Sequence, residues 1–179
     1  YAVIVADVPW SFQKRALDDT HRGRAITHYP DMTIEQIKQL PVPDLSCPDC
    51  VLWMWTTNAH LHEALHIVEH WGFEYKTMLT WAKNHLGCGD WLRGSTEHCL
   101  LAVRGRPVIT LTDQSTLLPA PVREHSRKPD EFFKLVEKLC HGARLEMFAR
   151  EPRKNWTAFG AETQKFAPAP AEPVTMVKY

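Results

Sequence analysis

The sequence opens on YAVIVADVPW, residues 1–10, an apolar run that ends in Asp7, Val8, Pro9 and Trp10. An unbroken apolar run is typical of a strand buried on both faces, as in a parallel sheet. Asp7 is then expected at the carboxyl end of that strand. Pro9 removes a backbone donor and stiffens the turn, and Trp10 adds a flat ring beside the carboxylate. The pattern suits a planar ligand with an N–H donor, such as a nucleobase amino group, although a tight turn before a core tryptophan is the alternative.

The composition predicts one globular domain. The chain has 179 residues, of which 44% are hydrophobic and 23% charged, and its 21 Lys and Arg balance its 21 Asp and Glu. These values do not fit a disordered or membrane-spanning chain, nor a protein held on nucleic acid by bulk charge. Five cysteines, an odd number, predict a reducing compartment, by default the cytoplasm. Because Tyr1 begins directly on a strand, we expect further residues upstream of it.

Apolar patterning predicts alternating strands and helices after a polar loop over residues 13–28. Strands are expected at residues 3–5, 51–55, 76–81, 97–103 and 144–148, the last being the final strong strand. Thr33 and Gln36 form a capping box for a short helix that Pro41 and Pro43 should end. Further helices are expected over the face Leu61, Ala64, Leu65 and Val68, closed by Gly72, and from Lys128-Pro129-Asp130-Glu131 over the buried side Phe132, Phe133, Val136 and Leu139.

This alternation predicts an open α/β sheet, mostly parallel, with helices on both faces. Ligands of such sheets bind beyond the carboxyl ends of the strands. Asp7 and Arg150 both follow strand ends, so we expect them to meet a ligand.

Longer stretches carry a resemblance to a known family. Asp7-Val8-Pro9-Trp10 is similar to the D-P-P-W signature of the β-class N6-adenine methyltransferases. Further stretches follow in the order of the family branch that contains the mRNA adenosine methylase catalytic subunit and its bacterial and phage relatives: THYPDMTIEQI, VLWMWTT, WAKN, TEHCLLAVRG, HSRKPDEFF, LEMFAR and NWTAFGAE. The resemblance covers Tyr1 to about Glu162.

The resemblance implies a Rossmann-like S-adenosylmethionine-dependent methyltransferase fold with circularly permuted motif order, in which the catalytic motif comes first. Residues 1–162 would form the methyltransferase domain and residues 163–179 an extended or disordered tail. The implied catalytic residues are Asp7, Val8, Pro9 and Trp10. Asp7 and a backbone carbonyl of the motif would accept hydrogen bonds from the adenine amine, and Trp10 would flank the base. Val8 stands where the family has proline, so rigidity is lost while the carbonyl acceptor is kept.

The resemblance also implies two sets of binding residues. Cofactor-binding residues would be Ala6, Asp7, Lys128, Phe148, Arg150, Asn155 and Glu162, and substrate-binding residues would be Trp10, Tyr29, Trp81, Lys83, Glu97 and Ser126. Without the family, Lys128 reads as a solvated lysine at a helix start, Trp81 as core, and the segment after residue 150 as a surface loop. Ala161 stands where that branch often has asparagine. Trp91 and Arg93 could follow a nucleic-acid strand by stacking and phosphate contact, or belong to a structural loop.

One rival motif is a zinc site. Cys47 and Cys50 precede His62 and His66 at a spacing close to that of a two-cysteine, two-histidine zinc finger. Residues 51–57 between them read as a full core strand, which is too rigid for a finger hairpin, so we expect no metal.

The leading hypothesis is therefore an S-adenosylmethionine-dependent enzyme of bacterial or phage type that methylates N6 of adenine in DNA. RNA is the alternative substrate, and a non-catalytic partner subunit or zinc module is the alternative class. Homodimers or heterodimers are expected from the resemblance, and membrane association is not.

Overall fold

The computed structural model describes residues 1–11, 31–87, 91–110, 113–124 and 127–166. Its strands are β1 (Val3–Ala6), β2 (Cys50–Thr56), β3 (Glu74–Ala82), β4 (Thr96–Arg104), β5 (Leu117–Pro119), β6 (Arg144–Met147) and β7 (Trp156–Phe159). Its α-helices are α1 (Ile34–Lys38), α2 (Val42–Leu45), α3 (Leu61–His70) and α4 (Asp130–Leu139), and a 3₁₀ turn, Asn58–His60, precedes α3.

The strands form one seven-stranded sheet in the order β5-β3-β4-β2-β1-β6-β7. β1 lies near the middle, parallel to β2 on one side and to β6 on the other. β4 runs antiparallel to both of its neighbours, β2 and β3, whereas β3–β5 and β6–β7 are parallel pairs. The predicted mostly parallel sheet is confirmed. Because β4 is reversed, its first residues lie at the same edge as the carboxyl ends of the other strands.

Alternating side chains of the central strands fill two cores, one on each face of the sheet. Ile4, Leu52 and Met54 pack with residues of α1, α2 and α3 on one face. Val5 and Trp53 pack with α4 on the other. Every residue of β1 and β2 is buried, which explains their unbroken apolar sequences. Burying each large apolar side chain contributes about 1.5–3 kcal/mol, so the two cores hold the carboxyl end of β1 in place from both faces.

The helix signals in the sequence agree with the structure at two helix ends and on one helix face. The Thr33 hydroxyl accepts a hydrogen bond from Gln36 N, and the Gln36 side chain accepts one from Thr33 N, which confirms the capping box. Gly72 follows α3 with φ of +78°, a conformation that favours glycine. The apolar face of α4 is buried as predicted.

Three features differ from the sequence expectations. Proline does not end α1, which stops at Lys38; the segment with Pro43 forms the separate short helix α2, because proline is tolerated in a first turn, where its missing N–H costs no hydrogen bond. β7 follows the strand expected to be the last strong one, and β5 was not predicted. β5 has three residues including Pro119, and β7 alternates exposed and covered residues, so neither shows a clear apolar run.

Parts of the prediction lie outside the described residues. The polar loop over residues 13–28 falls there, as does most of the tail. Of the tail, Thr163–Phe166 form turns, and Phe166 N donates to Arg150 O at 3.1 Å. The domain boundary at residue 162 stays a prediction. Within the described part of the chain, no helix has both the length and the apolar character to cross a membrane.

Candidate active site

Asp7 lies directly after β1, at the carboxyl edge of the sheet. Its backbone N–H donates to Met147 O at the end of β6, at 3.4 Å. The turn that follows is held by two backbone hydrogen bonds: Trp10 N donates to Val8 O, and Met32 N donates to Pro9 O, each at 2.9 Å. The Val8 side chain is buried in the core beneath. The turn is therefore shaped by hydrogen bonds and packing together.

Four charged side chains form an ion network at this edge. Lys128 Nζ lies 2.9 Å from Asp7 Oδ1 and 3.2 Å from Glu97 Oε2. Glu97 Oε1 accepts a hydrogen bond from Lys83. The Lys128 side chain is only 9% exposed, so this lysine is not the solvated residue that its sequence context alone would suggest. The ion network joins residues from the ends of β1 and β3, the start of β4 and the start of α4.

Electrostatics favour the charged forms of Lys128 and Glu97. Burial alone would lower the pKa of Lys128, but the carboxylates of Asp7 and Glu97 outweigh it, and the pKa is raised. Burial would raise the pKa of Glu97, but Lys128 and Lys83 outweigh it, and that pKa is lowered. A buried charge without a partner is strongly unfavourable, so removal of either carboxylate would leave Lys128 poorly compensated.

The two tryptophans expected near a base are anchored in the cores. Trp10 donates from Nε1 to Trp55 O at 3.0 Å, and its ring stacks on His60 with centroids 5.0 Å apart and planes 10° from parallel. Trp81 is 1% exposed and donates from Nε1 to Ala120 O at 2.8 Å. Lys83 Nζ lies 4.8 Å from the Trp81 ring centroid. Both rings are therefore buried and held in place by hydrogen bonds to the backbone.

An open cleft lies beside Asp7, and its walls come from the ends of β1 and β6, from α4 and the segment before it, and from the segment between β6 and β7. The lining residues are Asp7, Arg127, Lys128, Phe133, Glu146, Phe148, Arg150, Glu151 and Arg153. Phe148 adopts φ of +62°, which is unusual for a bulky residue and is often found at functional sites. A Cβ added to Gly160 would lie 2.9 Å from Phe148 Cα, so glycine there lets the β7 turn approach closely.

Sequence reasoning did not assign five of the cleft residues to the site: Arg127, Phe133, Glu146, Glu151 and Arg153. Two of them, Glu146 and Arg153, lie against each other. Burial raises the pKa of Glu146 to about 7, with Asp7 and Glu151 acting in the same direction and Arg153 opposing it. Glu146 Oε2 lies 3.3 Å from Arg153 Nε, yet neither atom has a hydrogen-bond partner among the described residues. A carboxylate inside the apolar segment Leu145-Glu146-Met147 was the available signal.

The remaining predicted cofactor residues lie in different places. Ala6 is buried in β1. Asn155 is exposed, with φ of +65°, and Glu162 pairs with Lys165 Nζ at 3.1 Å; neither lines the cleft. The backbone hydrogen bond between residues 166 and 150 nevertheless ties the Glu162 turn to the cleft wall. Tyr29 and Ser126, two predicted substrate residues, lie outside the described residues.

The structure separates the halves of the rival zinc motif. Cys50 is the first residue of β2 and Cys47 precedes the strand, whereas His62 and His66 face each other on α3 with Nε2 atoms 3.2 Å apart. The seven-residue strand between them spans about 20 Å. Among the residues that the structure describes, no group of three or more His, Cys, Asp or Glu could hold a metal ion.

Comparisons with known proteins identify the family of the chain. Residues 1–162 match the MT-A70 family. The chain is 31% identical over 171 residues to an N(6)-adenosine-methyltransferase MT-A70-like protein of Arabidopsis thaliana, which covers 89% of this chain and 23% of that protein. It is 30% identical over 172 residues to the human N(6)-adenosine-methyltransferase catalytic subunit METTL3, covering 89% of this chain and 28% of that protein.

A bacterial relative is matched over most of its length. The Type II methyltransferase M.MunI of a Mycoplasma species is 29% identical over 180 residues, which cover 90% of this chain and 77% of that protein. By contrast, the chain spans about a quarter of the plant and human relatives. The match to the family extends from the Asp7 turn through the ion network and the cleft to Glu162, and the chain therefore belongs to the MT-A70 family.

Proposed function

We propose that this chain transfers a methyl group from S-adenosylmethionine to the exocyclic N6 amine of adenine in DNA. The observation that carries the proposal is the Asp7 carboxylate at the carboxyl end of a central strand, held by a buried lysine beside a cleft. The family match over residues 1–162 supports it.

The chemistry needs acceptors aimed at one amino group. An exocyclic amine is a weak nucleophile because its lone pair is delocalised into the ring. Hydrogen bonds from its two N–H groups to fixed acceptors favour localisation of that pair toward the methyl donor. Asp7 provides one acceptor: Lys128 Nζ pairs with its Oδ1, and Oδ2 would accept from the amine. Val8 O accepts from Trp10 N and keeps a second lone pair, so it can provide the other.

Lys128 and Glu97 act as positioning residues in this proposal. Lys128 orients the Asp7 carboxylate and balances its charge, and Glu97 holds Lys128 from the opposite side. Alignment of the reacting atoms is a large part of the catalytic effect in such transfers. The buried hydrogen bonds of Trp10 and Trp81 stiffen the edge beneath this pair.

The residues of the cleft fit S-adenosylmethionine, which carries a sulfonium, an ammonium, a carboxylate and an adenosine. Asp7 complements its cationic groups, the Glu146 carboxyl offers a hydrogen-bond acceptor, and Lys128 and Arg150 complement its carboxylate. Glu146 Oε2 is a buried acceptor that lacks a hydrogen-bond partner among the described residues, as expected of a ligand-binding group. When bound, the cofactor supplies an electrophilic methyl group on its sulfonium. Glu162, as the resemblance implies, would accept from its ribose hydroxyls.

The DNA substrate is proposed over RNA because of the extent of the matches. The chain accounts for 77% of the Type II methyltransferase but only 28% of the human adenosine methyltransferase subunit. Pairing with a second copy or a related chain is also proposed, as is a cytoplasmic location in a bacterium or phage-infected cell. The four cysteines of the described residues are free, which suits a reducing compartment.

Mass spectrometry of digested nucleic acid tests the proposal. DNA and RNA of matched sequence are incubated with the chain and S-adenosylmethionine, and the nucleosides are then quantified. N6-methyldeoxyadenosine in the DNA sample is the expected product. Methylation of RNA alone would establish the alternative substrate, and the absence of any methylated adenine would refute the enzymatic proposal in favour of a non-catalytic subunit.

A further inference from the structure

Residues 83–87 and 91–95 lie between β3 and β4 at the rim of the candidate site; we call these two described stretches together the rim hairpin. Its first residue, Lys83, is a member of the ion network, and Glu97 follows its last residue by two positions. Lys83 N donates to Ser95 O at 2.8 Å, which closes its base. Anything bound over Asp7 therefore lies next to the rim hairpin.

The stem of the rim hairpin is stiff. Gly87 N donates to Gly94 O at 2.7 Å, and a Cβ on Gly87 would lie 3.0 Å from Gly94 O, so the two strands approach as closely as glycine allows. Arg93 donates from Nε to Gly87 O at 3.0 Å and from Nη2 to Leu86 O at 3.3 Å. The guanidinium thus braces the stem across its width.

Next to Arg93 in the sequence, two large apolar side chains are exposed to solvent. Trp91 is 91% exposed and Leu92 is 87% exposed, more than any other large hydrophobic residue in the described part of the chain. Exposed tryptophan on a braced support is costly in hydration free energy and is typical of a surface that meets a partner. Lys83 is paired with Glu97, so the cation that the segment offers to an anionic partner is Arg93, whose guanidinium donates to the carbonyl oxygens of Gly87 and Leu86.

A nucleic-acid duplex is the partner that fits both the position and the chemistry. The N6 amine of a paired adenine can reach Asp7 only if the nucleotide leaves the base stack, which costs a few kcal/mol and is easier for unpaired bases. Apolar side chains inserted between base steps stabilise such distortions, and a tryptophan stacks on any base. We infer that Trp91 and Leu92 form a wedge that enters the base stack beside the target adenine when that nucleotide swings into the site. This inference rests on the proposed methylation of adenine.

Two duplexes that differ only at the partner of the target adenine test the wedge. In one the adenine is paired with thymine, and in the other it faces an abasic site. Trp91→Ala should lower the ratio of kcat/KM for the paired target to that for the unpaired target at least tenfold. Trp91→Phe should restore most of the ratio, since a ring is retained. Val108→Ala, which truncates another exposed apolar residue, 79% exposed and outside the rim hairpin, should leave the ratio at the wild-type value.

A fluorescence measurement detects the displaced base without requiring methyl transfer. A duplex with 2-aminopurine at the target position should become more fluorescent on binding the wild-type chain and much less so on binding Trp91→Ala. An equal loss of kcat/KM on both duplexes in Trp91→Ala, or no loss on either, would refute the wedge. A change in oligomeric state, measured by light scattering, that accounts for the loss would also refute it. If the wild-type chain methylates neither duplex, the proposed function fails, whereas the 2-aminopurine signal still decides the wedge.

Discussion

Replacing Glu146 with glutamine should increase the free energy of unfolding relative to wild type, and this gain should be larger at alkaline pH than at acid pH. Glutamine has nearly the shape of glutamate but carries no proton equilibrium. The pKa of Glu146 is raised by burial from 4.5 to about 7 in the folded chain. Between these values the unfolded chain loses the proton that the folded chain keeps, so wild-type stability falls as the pH rises. The full cost, reached above pH 7, is about 3 kcal/mol, from about 2.5 pH units at 1.36 kcal/mol each.

Urea unfolding followed by tryptophan fluorescence at pH 5, 6, 7 and 8 measures this effect. The difference in unfolding free energy between Glu146→Gln and wild type should grow by about 2.5 kcal/mol from pH 5 to pH 8 in favour of glutamine. The matched control is Glu131→Gln at an exposed position of α4, which should change stability by no more than about 0.5 kcal/mol at every pH. Parallel pH profiles for wild type and Glu146→Gln would refute the claim that burial holds this carboxyl protonated.

Substitutions at three further positions test the site. Asp7→Asn should abolish nearly all methyl transfer while weakening cofactor binding less, because an amide cannot carry the negative charge; retention of more than about a tenth of the rate, a loss below about 1.4 kcal/mol, would remove Asp7 as the acceptor. Glu162→Ala should weaken S-adenosylmethionine binding by about 1.5–3 kcal/mol, and unchanged affinity by calorimetry would place Glu162 outside the site. Val8→Pro should keep activity within about tenfold of wild type, whereas Val8→Gly should lower turnover and, since Val8 is buried, cost about 2 kcal/mol of stability; collapse of transfer in a folded Val8→Pro variant would show that valine makes a specific contact.

The position of Asp7 was predictable because it depends on local sequence. An unbroken apolar run predicts β1 as a strand buried on both faces, and the carboxylate that follows it must lie at the edge of the sheet. The capping box of α1 and the apolar face of α4 are equally local signals. Lys128 was expected near the site from its motif, but its contact with Glu97 follows from strand order, since β4 lies two strands away from β1.

The electrostatic character of the cleft could not be deduced in the same way. Glu146 faces the cleft because β6 lies between β1 and β7, and β7 was not predicted. Its neighbour Arg153 comes from the turn before β7, whose strand alternates exposed and covered residues. The packing of Trp10 on His60 was likewise beyond sequence patterns, because the stacking partner is brought by the 3₁₀ turn that precedes α3.

The reversed direction of β4 has a consequence for how this family can diversify. Because β3 ends and β4 begins at the same edge, Lys83 and Glu97 are held in register by the ladder in which Trp81 pairs with Glu97. Residues added or removed beyond Gly87 and Gly94 would change the reach of the chain outside the sheet and leave the ladder untouched. Loop length costs little in closure entropy, about 0.6 kcal/mol for each doubling. The fold thus separates the β3–β4 ladder, which must stay constant to hold Lys83 and Glu97, from the connection beyond Gly87 and Gly94, whose length can vary with the target.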